Sequence, residues 1–236
     1  MKTSINRMQA IFIKDFKDVM KNMFISSSLL MPIILAFMYS RLDDVSIDLI
    51  YLIVNLSFVA VAFLIQCSMI AEEKEKNTLR SLMLSPASVF EILAGKSALT
   101  FLMTGVTIVV SIKLMDYVPG NSLIVIVAIL ISTLFYIILG TLFGLITKSV
   151  MEASVMSMPF MVIFGFASLF ENIAASYKVS YLIDYLPNMQ LIEIARMDEV
   201  GTTFLEVIPN LLIILAWIAA AAVVTVSVFK KKEMND

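Results

Sequence analysis

The sequence predicts an all-α integral membrane protein that forms one transmembrane domain over residues 1–236. Hydrophobic residues make up 60% of the chain and charged residues only 15%, whereas soluble domains carry about 25% charged residues. Apolar runs recur between short charged connectors, and about 20 apolar residues let a helix cross the hydrocarbon core. Six spans are therefore predicted, at residues 23–40, 49–70, 92–114, 123–146, 153–170 and 208–229.

The composition also restricts the chemistry that the chain can perform. It has no histidine, the commonest general base and transition-metal ligand. Its single cysteine, Cys67, lies in an apolar run and cannot form an internal disulfide. We therefore predict no enzyme activity, no catalytic, cofactor-binding or metal-binding residue, and no nucleic-acid partner.

Residues 1–22 are predicted to contain an amphipathic helix that lies along the membrane surface. Apolar side chains recur at helical spacing from Ile5 to Met20, and most of the charged side chains fall on the other side. Basic residues that face anionic headgroups are typical of a helix in the interface plane. Packing of this helix against a partner protein in water is the alternative.

The first two predicted spans contain polar residues with two open interpretations. Ser26, Ser27 and Ser28 can bond back to their own helix, or Ser27 can line a polar pathway. Asn55 and Gln66 are eleven residues apart in span two, about three helical turns, which predicts a shared face. Because amides in lipid need partners, that face should meet another helix or a pathway.

A charged run, residues 72–86, separates spans two and three and is predicted to form a short helix in water. Leu79, Leu82 and Met83 fall at helical spacing and would form a small apolar contact stripe. Pro86 ends the helix, because proline biases the preceding residue away from helical geometry. The segment is therefore a surface that a cytoplasmic partner could bind.

Two further features of the apolar runs bear on function. Gly95-Lys96-Ser97 suggests a phosphate-binding loop, but Phe90 stands where the full pattern needs a second glycine, so no ATP site is predicted. The six span cores are also interpreted as lacking buried acids and bases, which argues against a proton-coupled pump. Gly140 and Gly144 in span four allow close helix approach, inside the chain or against a second copy.

Residues 171–207 are too interrupted to span and too apolar for a free loop. Short re-entrant or interfacial helices broken at Pro187 are predicted here. Tyr177, Tyr181 and Tyr185 are four residues apart and share a helix face, and tyrosine prefers the headgroup level. Tyr181, Tyr185 and Pro187 are the candidates for a gate on the outer face.

The distribution of basic residues predicts that both termini are cytoplasmic. Six spans place the termini on one side, and thirteen of the seventeen Lys and Arg residues then lie on that side. The positive-inside rule assigns this side to the cytoplasm. The charged run 72–86 is then cytoplasmic, and residues 171–207 lie outside.

The charged run resembles the coupling-helix region of type-2 ABC exporter permeases. The pattern Glu-(Arg/Lys)-Glu-x-(Gly/Asn)-Thr-Leu-x-x-Leu-x-x-Ser-Pro occurs at residues 73–86, after the second of six spans. Gly95-Lys96 matches a common pair downstream. Two positions depart from the pattern: Asn77 replaces a frequent glycine, and Arg80 replaces a frequent glutamate and so reverses a charge.

The resemblance implies a multi-pass plasma-membrane permease subunit that pairs with a separate cytoplasmic ABC ATPase. ATP and Mg would then be bound by that ATPase and not by this chain. A second permease copy or a paralogue would complete the pathway. The residues expected to contact the ATPase are Glu73, Glu75, Thr78, Leu79, Arg80, Leu82 and Met83.

The expected cargo is amphipathic or hydrophobic, because the interior of the spans is mostly uncharged. Peptides, lantibiotic-like molecules and drug-like molecules fit this description by analogy. A stand-alone secondary transporter or channel is the alternative, and a membrane scaffold for a partner enzyme is a third class. Copurification of a soluble ATPase would distinguish an ABC exporter permease from a secondary transporter or channel and from a scaffold.

Overall fold

The computed structural model describes residues 2–42, 44–76, 89–171 and 183–233, which form helices joined by short connections. No strand occurs in these ranges, so the all-α prediction is confirmed for them. A short 3₁₀ turn, Ala167–Phe170, follows the sixth helix. The helices are α1 (Lys2–Lys21), α2 (Met23–Tyr39), α3 (Ile47–Glu75), α4 (Val89–Leu114), α5 (Ser122–Ile146), α6 (Val150–Gly165), α7 (Pro187–Glu199) and α8 (Ile208–Glu233).

Helix α3 is the centre of the fold. In its most apolar stretch 83% of the residues are buried within the chain, against 17% for α8. It packs against α2, α4, α5 and α6, while α8 packs on α5 and α7. Large side chains such as Tyr51, Phe58 and Phe63 fill the space around it, and the Phe58 ring stacks on Tyr136 of α5 at 5.0 Å.

The glycines of α5 let this helix approach α3 closely. A Cβ added at Gly140 would lie 2.6 Å from the Phe63 carbonyl oxygen, and one at Gly144 would lie 2.8 Å from Ile70 Cβ. Neither distance leaves room for a side chain. Of the two interpretations of the Gly-x-x-x-Gly pattern, the structure therefore supports packing inside the chain.

A π-helical segment, Phe58–Phe63, interrupts α3 near its middle. A π-helix bonds residue i to residue i+5 and so has more residues per turn than an α-helix. The predicted shared face of Asn55 and Gln66 assumed an uninterrupted α-helix, and this segment changes the rotation between them. The spacing argument therefore loses its basis and the shared face stays a prediction, although both side chains are buried.

The structure confirms four helices as long and apolar enough to cross a membrane: α3, α4, α5 and α8. Two predicted spans differ. The helix expected at 23–40 is the 17-residue α2, and the one expected at 153–170 is an α-helix Val150–Phe160 followed by a π-helical turn Met161–Gly165. The number of six crossings thus stays a prediction.

Helices α1 and α2 meet at a bend of 83°. The bend falls at Asn22, whose side-chain oxygen accepts hydrogen bonds from the amides of Phe24 (3.1 Å) and Ile25 (3.3 Å) and so begins α2. A near-perpendicular turn is the geometry expected of a surface helix followed by a span. The position of α1 in the membrane interface stays a prediction.

The connection between α6 and α8 contains one long helix, α7, within the described residues. Pro187 occupies the first turn of α7, where its missing amide hydrogen costs no helical hydrogen bond. The predicted break at Pro187 is confirmed, because helical residues 183–184 end at a turn and a new helix begins at Pro187. Leu191, Ile192 and Ile194 of this helix are buried in the main core.

Candidate functional site

Most of the predicted ATPase contact lies outside the described residues. The structure describes the chain up to Lys76 and again from Val89, and we call residues 77–88 the docking segment. Five of the predicted contact residues fall within it, and Tyr181 falls within the other undescribed range, 172–182. These five residues are Thr78, Leu79, Arg80, Leu82 and Met83.

Glu73 was predicted to be an exposed charge at the rim of the contact, and the structure corrects this. Its side chain is only 4% exposed. One carboxylate oxygen, Oε1, accepts hydrogen bonds from the ammonium groups of Lys14 in α1 and Lys96 in α4, the latter at 3.3 Å. Glu73 is therefore buried and paired with two lysines of the same chain.

Lys96 also binds Asp15 of α1 through both carboxylate oxygens, at 2.9 and 3.1 Å. The side chains of Lys96 and Asp15 are 1% and 3% exposed. We call Lys14, Asp15, Glu73 and Lys96 the charge quartet. It holds two positive and two negative groups, so each buried charge has a partner of opposite sign.

The charge quartet lies at one end of the predicted span 92–114, not in its core, so it leaves the expectation of span cores without acids and bases as it was. Lys96 is the fifth residue of that span. Asp15 lies on the apolar stripe of α1, three residues after Phe12 and four before the buried Val19. An acid on such a stripe is a signal of a buried partner, but the spacing gives no indication of which lysine supplies it.

Lys74 and Glu75 follow Glu73 and bind two further helices. The Lys74 ammonium donates to the carbonyl oxygens of Leu145, at 2.8 Å, and Thr147 at the C-terminal end of α5. Glu75 accepts a hydrogen bond of 3.0 Å from the Val150 amide at the start of α6. Cations suit helix C-termini and anions suit helix N-termini, because the terminal backbone groups there lack helical partners.

Gln66 joins three helices in the middle of the bundle. Its oxygen accepts a hydrogen bond from Thr100 of α4 at 2.8 Å, and its nitrogen donates to Thr141 of α5 at 2.9 Å and to Ser97 of α4 at 3.3 Å. Such amide bonds stabilise helix contacts in membranes. Helix contact, one of the two interpretations given to Gln66, accounts for these bonds.

The other two polar candidates differ from Gln66. The Ser27 hydroxyl donates to the Phe24 carbonyl oxygen at 2.8 Å, so it bonds back to its own helix. Asn55 is buried, and its side-chain oxygen has no hydrogen-bond partner among the described residues. An orphaned amide oxygen in a core is costly, which keeps Asn55 a candidate for a polar pathway.

Two residues of the predicted outer-face gate, Tyr185 and Pro187, lie in the described part of the chain. The Tyr185 side chain is exposed, and its carbonyl oxygen accepts a hydrogen bond of 2.9 Å from the indole of Trp217 in α8. Pro187 is buried at the start of α7. Asp198, which the sequence reasoning did not single out, accepts bonds of 2.8 and 2.7 Å from the amides of Gly120 and Asn121 before α5.

Arg196 of α7 connects the start of α3 with the residue that follows the 3₁₀ turn after α6. Its guanidinium donates to Asp48 at the start of α3 (2.8 Å) and to both oxygens of Glu171 after α6 (3.1 and 2.8 Å). These hydrogen bonds lower the pKa of the Glu171 carboxyl below its ordinary value, since they favour its charged form. The interaction therefore strengthens above that pKa.

The long apolar helices, the buried polar contacts between them and the charged groups at one end of α3 define a multi-pass α-helical membrane protein. Residues 43–227 match the family model described as ABC-2 family transporter protein, and the chain belongs to this family. The resemblance to ABC-2 type permeases is thereby confirmed. Membership implies a membrane subunit of an ABC transporter and a partner ATPase subunit. A search of curated proteins gave no match.

Proposed function

We propose that the chain is the permease subunit of an ATP-driven exporter whose cytoplasmic ATPase binds the docking segment. The observation that carries this proposal is the position of the docking segment in a chain of the ABC-2 family. Its flanks, at Glu73 and Lys96, are held together by a hydrogen bond of 3.3 Å. A force on the segment would therefore reach both α3 and α4.

Within this proposal, Leu79, Leu82 and Met83 insert into an apolar groove of the ATPase. Buried apolar anchors dominate the affinity of such contacts, whereas rim charges mainly affect rate and specificity. Arg80 and residues of the segment near it supply the rim. Glu73 and Glu75 act instead from inside the permease, because the structure pairs them with other helices.

The rest of the assembly follows from the same proposal. The chain lies in the plasma membrane of the cell, and both termini and the docking segment face the cytoplasm. ATP and Mg bind to the ATPase, and a second permease copy or paralogue completes the pathway. The exported substrate is amphipathic or hydrophobic, either peptide, lantibiotic-like or drug-like, because the polar contacts between α3 and α4 in the middle of the bundle are made by neutral amide and hydroxyl groups, those of Gln66, Ser97 and Thr100.

Copurification tests the proposal directly. The tagged chain is purified from solubilised membranes, and bound ATPase and its ATP hydrolysis are measured. Leu79→Asp and Leu82→Asp should each lose the ATPase, since loss of a central anchor costs about 2 kcal/mol or more, about thirtyfold in affinity. Leu205→Asp is the matched control, because Leu205 is 76% exposed and far along the chain from the docking segment.

The result that contradicts the docking role is retention of the ATPase by both aspartate variants. If the wild-type chain itself carries no ATPase, the chain is a stand-alone transporter or channel. Membrane insertion of each variant is verified by its yield in the membrane fraction, so that misfolding is not scored as loss of docking.

A further inference from the structure

Three consecutive residues before the docking segment bind four other helices. Glu73 binds α1 and α4, Lys74 binds the carbonyl end of α5, and Glu75 binds the amide end of α6. None of these contacts lies within α3 itself. The end of α3 is therefore bonded to four of the helices around it.

The chain that leaves the docking segment is fixed by the same groups. Lys96 lies in the second turn of α4, and its ammonium contacts Glu73 and Asp15 together. One cation therefore connects the helix before the docking segment, the helix after it, and α1. The two ends of the segment have no independent freedom while this contact persists.

The close approach of α1 to α4 depends on Gly95, which precedes Lys96. A Cβ at this position would lie 3.1 Å from Ile11 Cγ2 and 3.3 Å from the Met8 carbonyl oxygen of α1. These distances are tighter than ordinary side-chain contacts. The absence of a side chain at Gly95 thus brings α1 near enough for Asp15 to reach Lys96.

Buried charges of this kind define a geometry more than they add stability. Removing one partner leaves an uncompensated buried charge and is strongly destabilising, whereas replacing a whole pair by neutral groups is often nearly neutral. In the charge quartet, neutralising Asp15 and Lys96 together leaves Lys14 and Glu73 as one opposite pair. Replacing Asp15 and Lys96 together therefore removes the connection of α4 to α1 and Glu73, and the net charge of the quartet stays zero.

We propose that the charge quartet makes α1, the end of α3 and the start of α4 move as one rigid body when the docking segment is displaced. Asp15 and Lys96 are then positioning residues for transport: they contact neither substrate nor nucleotide. Glu73 belongs to this body and not to the ATPase contact. This inference rests on the proposed function, because the displacement comes from the ATPase.

The test measures the α1–α4 distance directly in the full chain. Spin labels are placed at Ile13 in α1 and Leu102 in α4, both about half exposed, on a Cys67→Ala background. In the otherwise native chain, the distance distribution should be narrow and unchanged by a non-hydrolysable ATP analogue in the complex with ATPase. In Asp15→Asn/Lys96→Met it should broaden.

The functional readout separates positioning from assembly. The double variant should retain the ATPase, because the docking segment is intact. Its ATP hydrolysis should lose the stimulation by the permease by about fivefold or more, the lower end of typical coupling between linked sites. A fold-only role would lower the yield and would leave the stimulation per assembled complex unchanged.

A matched control removes a different buried contact between α3 and α4. Gln66→Leu/Thr100→Val is also a balanced replacement of two hydrogen-bonded partners, and neither residue contacts α1 in the bonds described above. The distance between labels at positions 13 and 102 should stay narrow in this variant. Equal broadening in both double variants would overturn the assignment to the charge quartet.

Hydrogen exchange on the wild-type chain covers the case in which the double variant does not fold. The amides of α1 near Asp15 and those of α4 near Lys96 should open together, with the same dependence on denaturant. Independent opening of the two helices overturns the inference. Because this measurement and the comparison of label distances between the native chain and the double variants can be made on the permease without ATPase, they remain decisive if no ATPase copurifies and the proposed function fails.

Discussion

Replacing Gly140 with alanine is expected to destabilise the packing of α5 against α3. The new Cβ would lie 2.6 Å from the Phe63 carbonyl oxygen and 2.9 Å from Gln66 Cβ. Because an ordinary contact begins near 3.4 Å, the helices would have to separate by about 0.8 Å, the difference between 3.4 and 2.6 Å. A gap of 0.5–1 Å forfeits roughly a quarter to a half of the dispersion energy of each contact it opens.

The magnitude follows from comparison with Gly105→Ala in α4. Among the described residues no neighbouring atom lies within 4 Å of a Cβ at Gly105, so this variant experiences only the gain in helix propensity, about 1 kcal/mol. Both glycines are inside helices, so that gain cancels between the two variants. The difference between them measures the packing cost alone, about 1–3 kcal/mol, or about 5- to 150-fold in the unfolding equilibrium.

The assay is unfolding of the purified chain in one defined detergent, with both alanine variants measured side by side. Gly140→Ala should be less stable to unfolding than Gly105→Ala. The two variants should self-associate to the same extent. Equal stability of the two variants would refute the close packing of α5 on α3. A loss of self-association without a change in unfolding would place Gly140 at a contact with a second copy.

The remaining predictions concern topology, the surface helix and the outer face. Cysteines introduced at positions 2 and 234, with Cys67 replaced, should react with an impermeant reagent only in permeabilised cells; reaction in intact cells would contradict cytoplasmic termini. Accessibility along Lys2–Lys21 should vary with a period of about 3.6 residues, and uniform protection would instead indicate a span. Amides of α7 should exchange slowly, unlike those of a disordered loop. Because the pKa of Glu171 is lowered in the fold, this protection should be complete above its ordinary pKa of 4.5 and weaken as pH falls below it, and Arg196→Gln should abolish that pH dependence.

Elements that depend on local composition could be predicted from the sequence. The all-α class, the four long apolar helices and the family resemblance follow from hydropathy and one motif. The back-bonding of Ser27 and the partner requirement of Gln66 follow from side-chain chemistry in an apolar medium. Each of these inferences uses residues that are close together along the chain.

Elements that depend on distant pairs could not be predicted. Asp15 and Lys96 are 81 residues apart, and Glu73 and Lys96 are 23 apart, so no periodicity relates them. Glu73 was assigned to the surface because charged residues in a connector are usually solvated. The positions of the preceding and following helices decide its burial, and the sequence pattern does not contain that information.

Irregular helices limited the prediction of where the spans end and of which side chains share a helix face. The π-helical turns Phe58–Phe63 and Met161–Gly165 shift the side-chain rotation that a 3.6-residue period assumes. Pro187 was correctly placed at a break between helices, and it begins the second of them because proline in a first turn costs no helical hydrogen bond. Hydropathy averages over such local backbone changes and does not detect them.

The central position of α3 means that the ribosome delivers this helix to the membrane before most of its neighbours exist. The Leu145 carbonyl that accepts a hydrogen bond from Lys74 lies 71 residues further along the chain. At about 5–20 residues per second, translation takes roughly 4–14 s to supply it. Thr141, the partner of Gln66 in α5, is synthesised after a similar interval. During that time, the insertion machinery or a membrane chaperone has to shelter the Gln66 amide inside the membrane, and a ribosome that stalls between α3 and α5 would expose it to quality-control proteases.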